Sequence, residues 1–335
     1  MDALSEVLRL VRLTGAVFMD AEFTAPWCIG EPSGVEVCID HMPHAQHVVI
    51  YHLVVDGKCD VLLPGEPAGS ARAGELIIIP GGGAHTLGSD LTRPAVPGGP
   101  LIVRRGPDEA PKVRHGGGGE ATRMVCGYLA CDSGLFDTLL AALPRVMIVD
   151  MNEGPGAQWL TSSIRFSLAE AAEPRAGAGT VLAKLSELMF VEAIRRHIEN
   201  LPPAQSGWLA GLRDRFVGKT LALLHSKPGE GWTVDELASR VGLSRSALAE
   251  RFTSLLGIPP MQYLTRWRLR IAADQLRSGM RSVAAVAADV GYDSEAAFNR
   301  AFKRALGTTP AAWRKAPRAA PAAGDKRGRK GKLRV

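Results

Sequence analysis

Apolar positions recur along the first part of the chain with period two or in short unbroken runs, and after Gly179 with a period near the α-helical one. Val35-Glu-Val-Cys-Ile-Asp40 alternates, Val48 to Val55 is a β-branched run interrupted by His52, and Gly74-Glu-Leu-Ile-Ile-Ile-Pro80 is a short apolar run between breakers. Each predicts a strand, and the frequent Gly and Pro between them predict a barrel or sandwich. Residues 94–119, rich in Pro, Gly and charge and including Gly116 to Gly119, predict a long mobile loop. Val181, Leu182, Leu185, Leu188, Met189, Ile194 and Ile198 predict one amphipathic helix. Its stripe suits packing on its own sheet and, equally, a dimer interface. Leu201-Pro-Pro-Ala-Gln-Ser-Gly207 reads as a linker, and the pattern behind it is helical throughout.

Within that helical part the chain repeats itself at a period of about 50 residues. Leu237-Ala-Ser-Arg-Val-Gly-Leu-Ser244 matches Val286-Ala-Ala-Asp-Val-Gly-Tyr-Asp-Ser294 with one insertion, and Ser244 to Phe252 aligns without gaps on Ser294 to Phe302. Gly257-Ile-Pro-Pro-Met-Gln-Tyr263 then matches Gly307-Thr-Thr-Pro-Ala-Ala-Trp313. Each copy reads as helix, turn, helix. Thr233 caps the first helix with Glu236 as its capping-box partner, Gly242 ends it, and Ser244 caps the next, whose Leu248 and Phe252 face inward. In such a motif the second helix enters the major groove. Its outward positions are Arg245, Ser246, Ala249 and Glu250, with Arg251 nearer the phosphates; in the second copy they are Glu295, Ala296, Asn299 and Arg300, with Lys303 and Arg304 near the backbone. Arg can bind guanine bidentately, Asn can pair with adenine, and Glu can accept from cytosine. Between the copies a helix from Pro260 to about Ser278 buries Tyr263, Leu264, Trp267, Ile271 and Leu276 and carries Arg266, Arg268, Arg270 and Arg277, fixing one recognition helix against the other.

Two such motifs joined by one helix, with Gly257-Ile-Pro-Pro-Met-Gln-Tyr-Leu-Thr-Arg-Trp-Arg-Leu269 after the first and Val290-Gly-Tyr-Asp-Ser-Glu-Ala-Ala-Phe-Asn-Arg-Ala-Phe-Lys-Arg304 forming the second, resemble the AraC/XylS family of bacterial transcription regulators over roughly residues 212–316. The resemblance implies binding to double-stranded promoter DNA and, most often, activation through RNA polymerase. Gly74 to His85 fits the second cupin motif (Gly, five residues, Pro, one, Gly, two, His), with Tyr51 to Gly57 as the first hairpin. Cupin-type regulators of that family resemble this half. The His-x-His pair and Glu of a metal-binding cupin's first motif are missing. His47 and His52 lie five apart and point to opposite faces of a straight strand, and His52 with His85 are too few for a zinc or iron site. We therefore expect no metal and no cofactor, with His52 and His85 facing an organic effector. His41, His44 and His47 read as solvated loop residues. Cys59 and Cys126 read as small buried apolar residues.

Composition adds one sharp point. The chain has 335 residues, 46% apolar and 22% charged, which fits two globular domains and excludes wholesale disorder. It lacks an apolar run long enough for a membrane span, and its N-terminus lacks the order of a signal peptide. Five cysteines without a CxxC pair argue against a disulfide framework or structural zinc. The net charge of +6 hides an asymmetry: residues 1–205 hold 16 Lys and Arg against 24 Asp and Glu, and residues 206–335 hold 24 against 10. A half of charge −8 joined to one of +14 is what a sensor tethered to a polyanion binder looks like. Residues 316–335 carry seven of those basic groups and read as a disordered tail.

The expectation is a two-domain chain: an all-β cupin-like barrel with helices of its own over 1–205, an all-α double helix-turn-helix over 206–315, and the tail over 316–335. Its function is sequence-specific regulation of transcription, activation foremost, by a cytoplasmic homodimer tuned by a small-molecule effector. It is not expected to be an enzyme, since it has no Gly-x-Ser-x-Gly elbow or P-loop. The alternative from another class, a cupin isomerase or dioxygenase carrying an accessory DNA-binding module, lacks the first-motif ligands.

Overall fold

In the computed structural model the described residues are 2–10, 13–34, 45, 47–103, 111–131, 136–154, 176–277, 279 and 281–316, with a few positions between 155 and 175. The predicted strand over 35–40 with its Cys38, as well as His41, His44 and the basic tail from 317, lie outside them. The chain forms two compact units, one built from residues 14–130 and 145–190, the other from 1–13, 131–144 and 191–318.

The first unit holds β1 (Leu13–Thr24), β2 (Cys28–Glu31), β3 (His47–Asp56), β4 (Lys58–Leu62), β5 (Gly69–Arg72), β6 (Glu75–Ile79), β7 (His85–Gly88), β8 (Val96–Pro97), β9 (Ile102–Val103), β10 (Lys112–Gly116), β11 (Ala121–Cys131) and β12 (Met147–Asp150). They make a seven-stranded sheet in the order β12-β6-β3-β11-β1-β10-β9 and a five-stranded sheet in the order β5-β4-β7-β2-β8. The alternation of β3 explains its unbroken apolar run. Val48, Ile50 and Val54 join the core with Phe23, Trp27, Ile29, Ile77 and Leu87. Val49 and Tyr51 line the opposite side, against Ser186, Met189 and Phe190 of a helix. A strand buried on both faces has no polar positions to alternate with.

Two expectations are corrected. Tyr51 to Gly57 is not a hairpin arm. β3 and β4 lie in different sheets, and the chain turns the corner at Gly57, whose φ of 78° suits glycine and whose missing Cβ leaves room for the Ala121 carbonyl. Residues 94–119 are not one long loop, because β10 pairs in parallel with β1 from Asp20 opposite Lys112 to Thr24 opposite Gly116. The glycines after it let the backbone close on that corner: Gly117 N–H donates to Thr24 O at 2.8 Å and Gly119 N–H to Ala25 O at 2.7 Å.

The helices are α1 (Ala3–Leu10), α2 (Phe136–Leu140), α3 (Ala178–Glu199), α4 (Trp208–Arg213), α5 (Arg215–Ser226), α6 (Val234–Val241), α7 (Arg245–Leu256), α8 (Pro260–Arg277), α9 (Val283–Asp289), α10 (Glu295–Leu306) and α11 (Pro310–Lys315). The predicted amphipathic helix is α3. Its inner stripe packs on the sheet, where Tyr51 Oη and Ser186 Oγ share a hydrogen bond of 2.7 Å, while Val181 and Leu188 remain exposed. In the helical unit α1 packs on α5 and buries Ala3, Leu4 and Val7. Among the described residues no helix is long and apolar enough to cross a membrane.

Candidate DNA interface and effector cavity

The two copies of the repeat fold alike down to their caps. Thr233 Oγ1 accepts from the Glu236 N–H at 3.1 Å and Ser282 Oγ from the Ala285 N–H at 3.1 Å, starting α6 and α9. Each turn passes through a left-handed glycine, Gly242 and Gly291, both at φ 80°. Ser244 and Ser294 then cap α7 and α10 by accepting from Ala247 and Ala297, each at 3.2 Å. Leu248 and Phe252 in α7, and Phe298 and Phe302 in α10, are fully buried, which turns the opposite faces outward. The Glu236 carboxylate of the expected capping box is paired with Arg240 at 3.4 Å.

Outward on α7 stand Arg245, Ser246, Glu250 and Arg251, all exposed, with Ala249 half-buried; on α10 stand Glu295, Ala296, Arg300 and Lys303, exposed, with Asn299 half-buried. Their engagements differ. Arg245 pairs with Asp235 at 3.2 Å. Arg251 is held more firmly, donating through Nε to Asp214 Oδ2 at 2.8 Å while its guanidinium lies 5.4 Å from the Phe216 ring centroid. The same carboxylate caps α5 through the N–H groups of Phe216 and Val217. Burial raises the Asp214 carboxyl, but the bonds from Arg251 and the two N–H groups outweigh it and hold it below the usual range. The side chains of Asn299, Arg300 and Lys303 have no hydrogen bond or ion pair among the described residues, so α10 presents Arg300 and Lys303 uncommitted.

Of the arginines of α8, Arg266 and Arg270 are exposed. Arg268 is not part of that charged surface. Half-buried, it donates through Nε to Pro228 O and through Nη2 to Glu230 O, each at 2.6 Å, and through Nη1 to Gly291 O at 3.3 Å, tying the loop before the first motif to the turn of the second. Arg277 lies over the Trp313 ring at 4.3 Å. Beneath α7, Trp208 Nε1 donates to Tyr263 Oη at 2.9 Å, which leaves that hydroxyl to donate to His225 Nε2 at 2.7 Å. Burial pushes His225 down to about 4.

The β unit holds a cavity of about 490 Å³ lined by Phe23, Ile29, Glu31, Ile50, His52, His85, Leu87, Val113, Cys126 and Tyr128, among others. The two histidines picked from sequence meet there, with His52 Nε2 and His85 Nε2 2.9 Å apart. Their tautomers follow from one neighbour. Gly83 O, 3.0 Å from His85 Nδ1, can only accept, so His85 carries its proton on Nδ1 and accepts at Nε2 from His52. His52 Nδ1 is then a buried lone pair without a hydrogen-bond partner. Burial pushes His85 down to about 4 and, with His85 beside it, holds His52 well below the usual range, so both are neutral. Among the described residues no three His, Cys, Asp or Glu side chains converge on a metal position. Cys28, Cys59, Cys126 and Cys131 are buried and in no disulfide among the described residues, and burial lifts the Cys59 thiol to about 12. Glu31 was not legible in the sequence, where an acidic residue closing a four-residue strand carries no motif.

Fold and surface together define a DNA-binding regulator: a β-rich unit with a largely apolar cavity, and a helical unit with two helix-turn-helix motifs. Residues 2–199 match the cupin family model and residues 237–316 the helix-turn-helix domain model. An AraC-like transcription regulator of Streptomyces lividans is 37% identical over 278 residues, 82% of this chain and 88% of the relative. The HTH-type transcriptional regulator AlkR of Acinetobacter baylyi is 27% identical over 94% of this chain and 99% of its own. The solved DNA-binding domain of AdpA, a global transcriptional factor, in complex with a target DNA is 34% identical over 30% of this chain and 91% of that one, with a TM-score of 0.29. The chain belongs to the AraC-like transcription regulators with an N-terminal cupin domain.

Proposed function

We propose that this protein activates transcription in the cytoplasm as a homodimer, with residues 1–205 as sensor and 206–315 as reader. α7 and α10 enter two successive major grooves of promoter DNA about 34 Å apart, one helical turn. The carrying observation is the matched pair of motifs, each burying one face of its second helix and turning outward Arg245, Ser246, Glu250 and Arg251 with half-buried Ala249, or Glu295, Ala296, Arg300 and Lys303 with half-buried Asn299. Exposed Val181 and Leu188 on α3 support the dimer. The apolar cavity with His52 and His85 on its wall supports a small-molecule effector, and RNA polymerase is the partner that the family implies.

The test uses a DNA site selected from a random pool by the wild-type protein. Arg300→Ala is expected to cost about 1–3 kcal/mol on that site and little on random DNA, whereas Arg266→Ala, on the exposed face of α8, weakens both alike. Equal losses on both DNAs for Arg300→Ala would remove the base-reading role.

A further inference from the structure

The polar groups of the cavity say what kind of molecule suits it, granted the reading that it is the effector site. Glu31 and His85 are directly opposed across β2 and β7, and Ile29 faces Leu87 two residues away, so all four project from one face of the small sheet. The Glu31 carboxylate lies against Gly98, where a Cβ would collide with Oε1. Among the described lining residues Glu31 is the one acidic side chain, and none is Lys or Arg. The neutral histidine pair supplies no positive charge, and its unused atom, His52 Nδ1, is again an acceptor. Burial lifts the Glu31 carboxyl to about 7, with no counter-ion for it among the described lining residues. The Cys126 thiol on the same wall is raised by burial and then by the charge of Glu31.

These features discriminate among ligand charges. An anion would share a largely apolar cavity with Glu31 and meet no cationic side chain among the described lining residues. An uncharged molecule could offer Glu31 a hydrogen bond and nothing more. A cation would complete an ion pair in surroundings where such pairs are stronger than in water. We propose that the cavity binds a small organic monocation, an amine whose ammonium meets Glu31 and whose apolar body lies among Phe23, Ile50, Leu87 and Val113. The volume of about 490 Å³ is ample for such a molecule.

Three probes of one shape test this: phenylbutylamine, phenylbutanol and phenylbutyrate, titrated by calorimetry into the full-length protein at about pH 8, where an alkylamine is still charged. The amine is expected to bind about tenfold or more tightly than the alcohol, and the carboxylate more weakly than either. Glu31→Gln keeps the shape and removes the charge, so it should abolish the amine's advantage while retaining alcohol binding, which shows that the cavity is still formed. Gly98→Ala, which displaces the carboxylate, should erode the advantage in the same direction. Phenylbutyrate binding tightest, amine and alcohol binding alike, an advantage that survives Glu31→Gln, or no binding of any probe each overturns the proposal. DNA binding measured on the same samples keeps the two readings apart. Intact affinity for the selected site without amine preference removes only the ligand class, whereas absent DNA binding removes the regulator reading itself.

Discussion

At the scale of single residues the molecule uses neutral histidines as buried polar joints. His85 in the β unit and His225 in the helical unit are each pushed down to about 4 by burial, against an ordinary value of 6.5. The unfolded chain takes up a proton on each near 6.5, while the folded chain resists it until about 4. Between those values the unfolded state binds more protons, so stability falls as the pH drops, by up to ~3 kcal/mol per histidine. Glu31 opposes this over the same range, because a carboxyl lifted from 4.5 to about 7 binds its proton more tightly in the folded chain. In the Glu31→Gln variant, urea midpoints followed by tryptophan fluorescence should therefore decline across that window. His225→Gln on the same background, which can still accept from Tyr263, should remove the share of His225, and a Glu31→Gln profile flat from neutral pH to about 4 would contradict the assignment. The sequence pointed to His85 by motif spacing and to His52 by its place in the expected first hairpin. It could not show that His225 shares a hydrogen bond with Tyr263, because the two stand 38 positions apart and meet only through the packing of α5 on α8.

At the scale of elements the repeat allows a controlled comparison. Gly242 and Gly291 occupy the same turn of the two motifs with the same φ of 80°. Around Gly242 a Cβ would find open space, whereas at Gly291 it would stand 2.5 Å from Gly229 O and 2.9 Å from Arg268 Nη2. Alanine at Gly242 should cost about 1–2 kcal/mol, the left-handed penalty alone. Alanine at Gly291 should cost distinctly more, since it also disturbs the bracket that Arg268 makes with Pro228, Glu230 and Gly291. Thermal unfolding of the two variants side by side gives the answer, and equal losses would show that the bracket yields freely. The shared turns, caps and buried pairs, Leu248 with Phe252 and Phe298 with Phe302, were legible because local rules write them at fixed offsets. The bracket was not, because an arginine at a basic-looking position on α8 gives no local sign that three carbonyls from distant loops converge on it.

At the scale of the whole molecule the charge split of −8 and +14 matches a sensor joined to a DNA reader, yet the compact units do not follow a single cut of the chain. Residues 1–13, 131–144 and 191–205 lie in the helical unit together with the DNA-binding helices. Deleting residues 1–12 takes away α1, whose Val7 is fully buried and whose Leu4 is 9% exposed. At roughly 1.5–3 kcal/mol for each buried aliphatic side chain, the helical unit should lose several kcal/mol of stability and, through it, DNA affinity. Chemical unfolding of the deletion variant beside the full chain tests this, and an unchanged midpoint would mean that α1 merely rests on α5. A short amphipathic N-terminal helix looks alike whether it covers its own sheet or a helix more than 200 positions away.

By itself the sequence determined whatever depends on neighbours along the chain: the strand and helix periods, the duplicated helix-turn-helix with its caps and left-handed glycines, the family, and the opposite charges of the two halves. These follow from backbone geometry and side-chain spacing, which act over a few residues. The tertiary structure alone decided which distant groups meet. It joined β10 to β1 where a loop was expected, committed Arg251 to Asp214 and Arg268 to three carbonyls while leaving Arg300 uncommitted, and set Glu31 opposite His85 in one apolar cavity. Strand register and helix packing fix such meetings, and the burial they create sets the charge of every group inside.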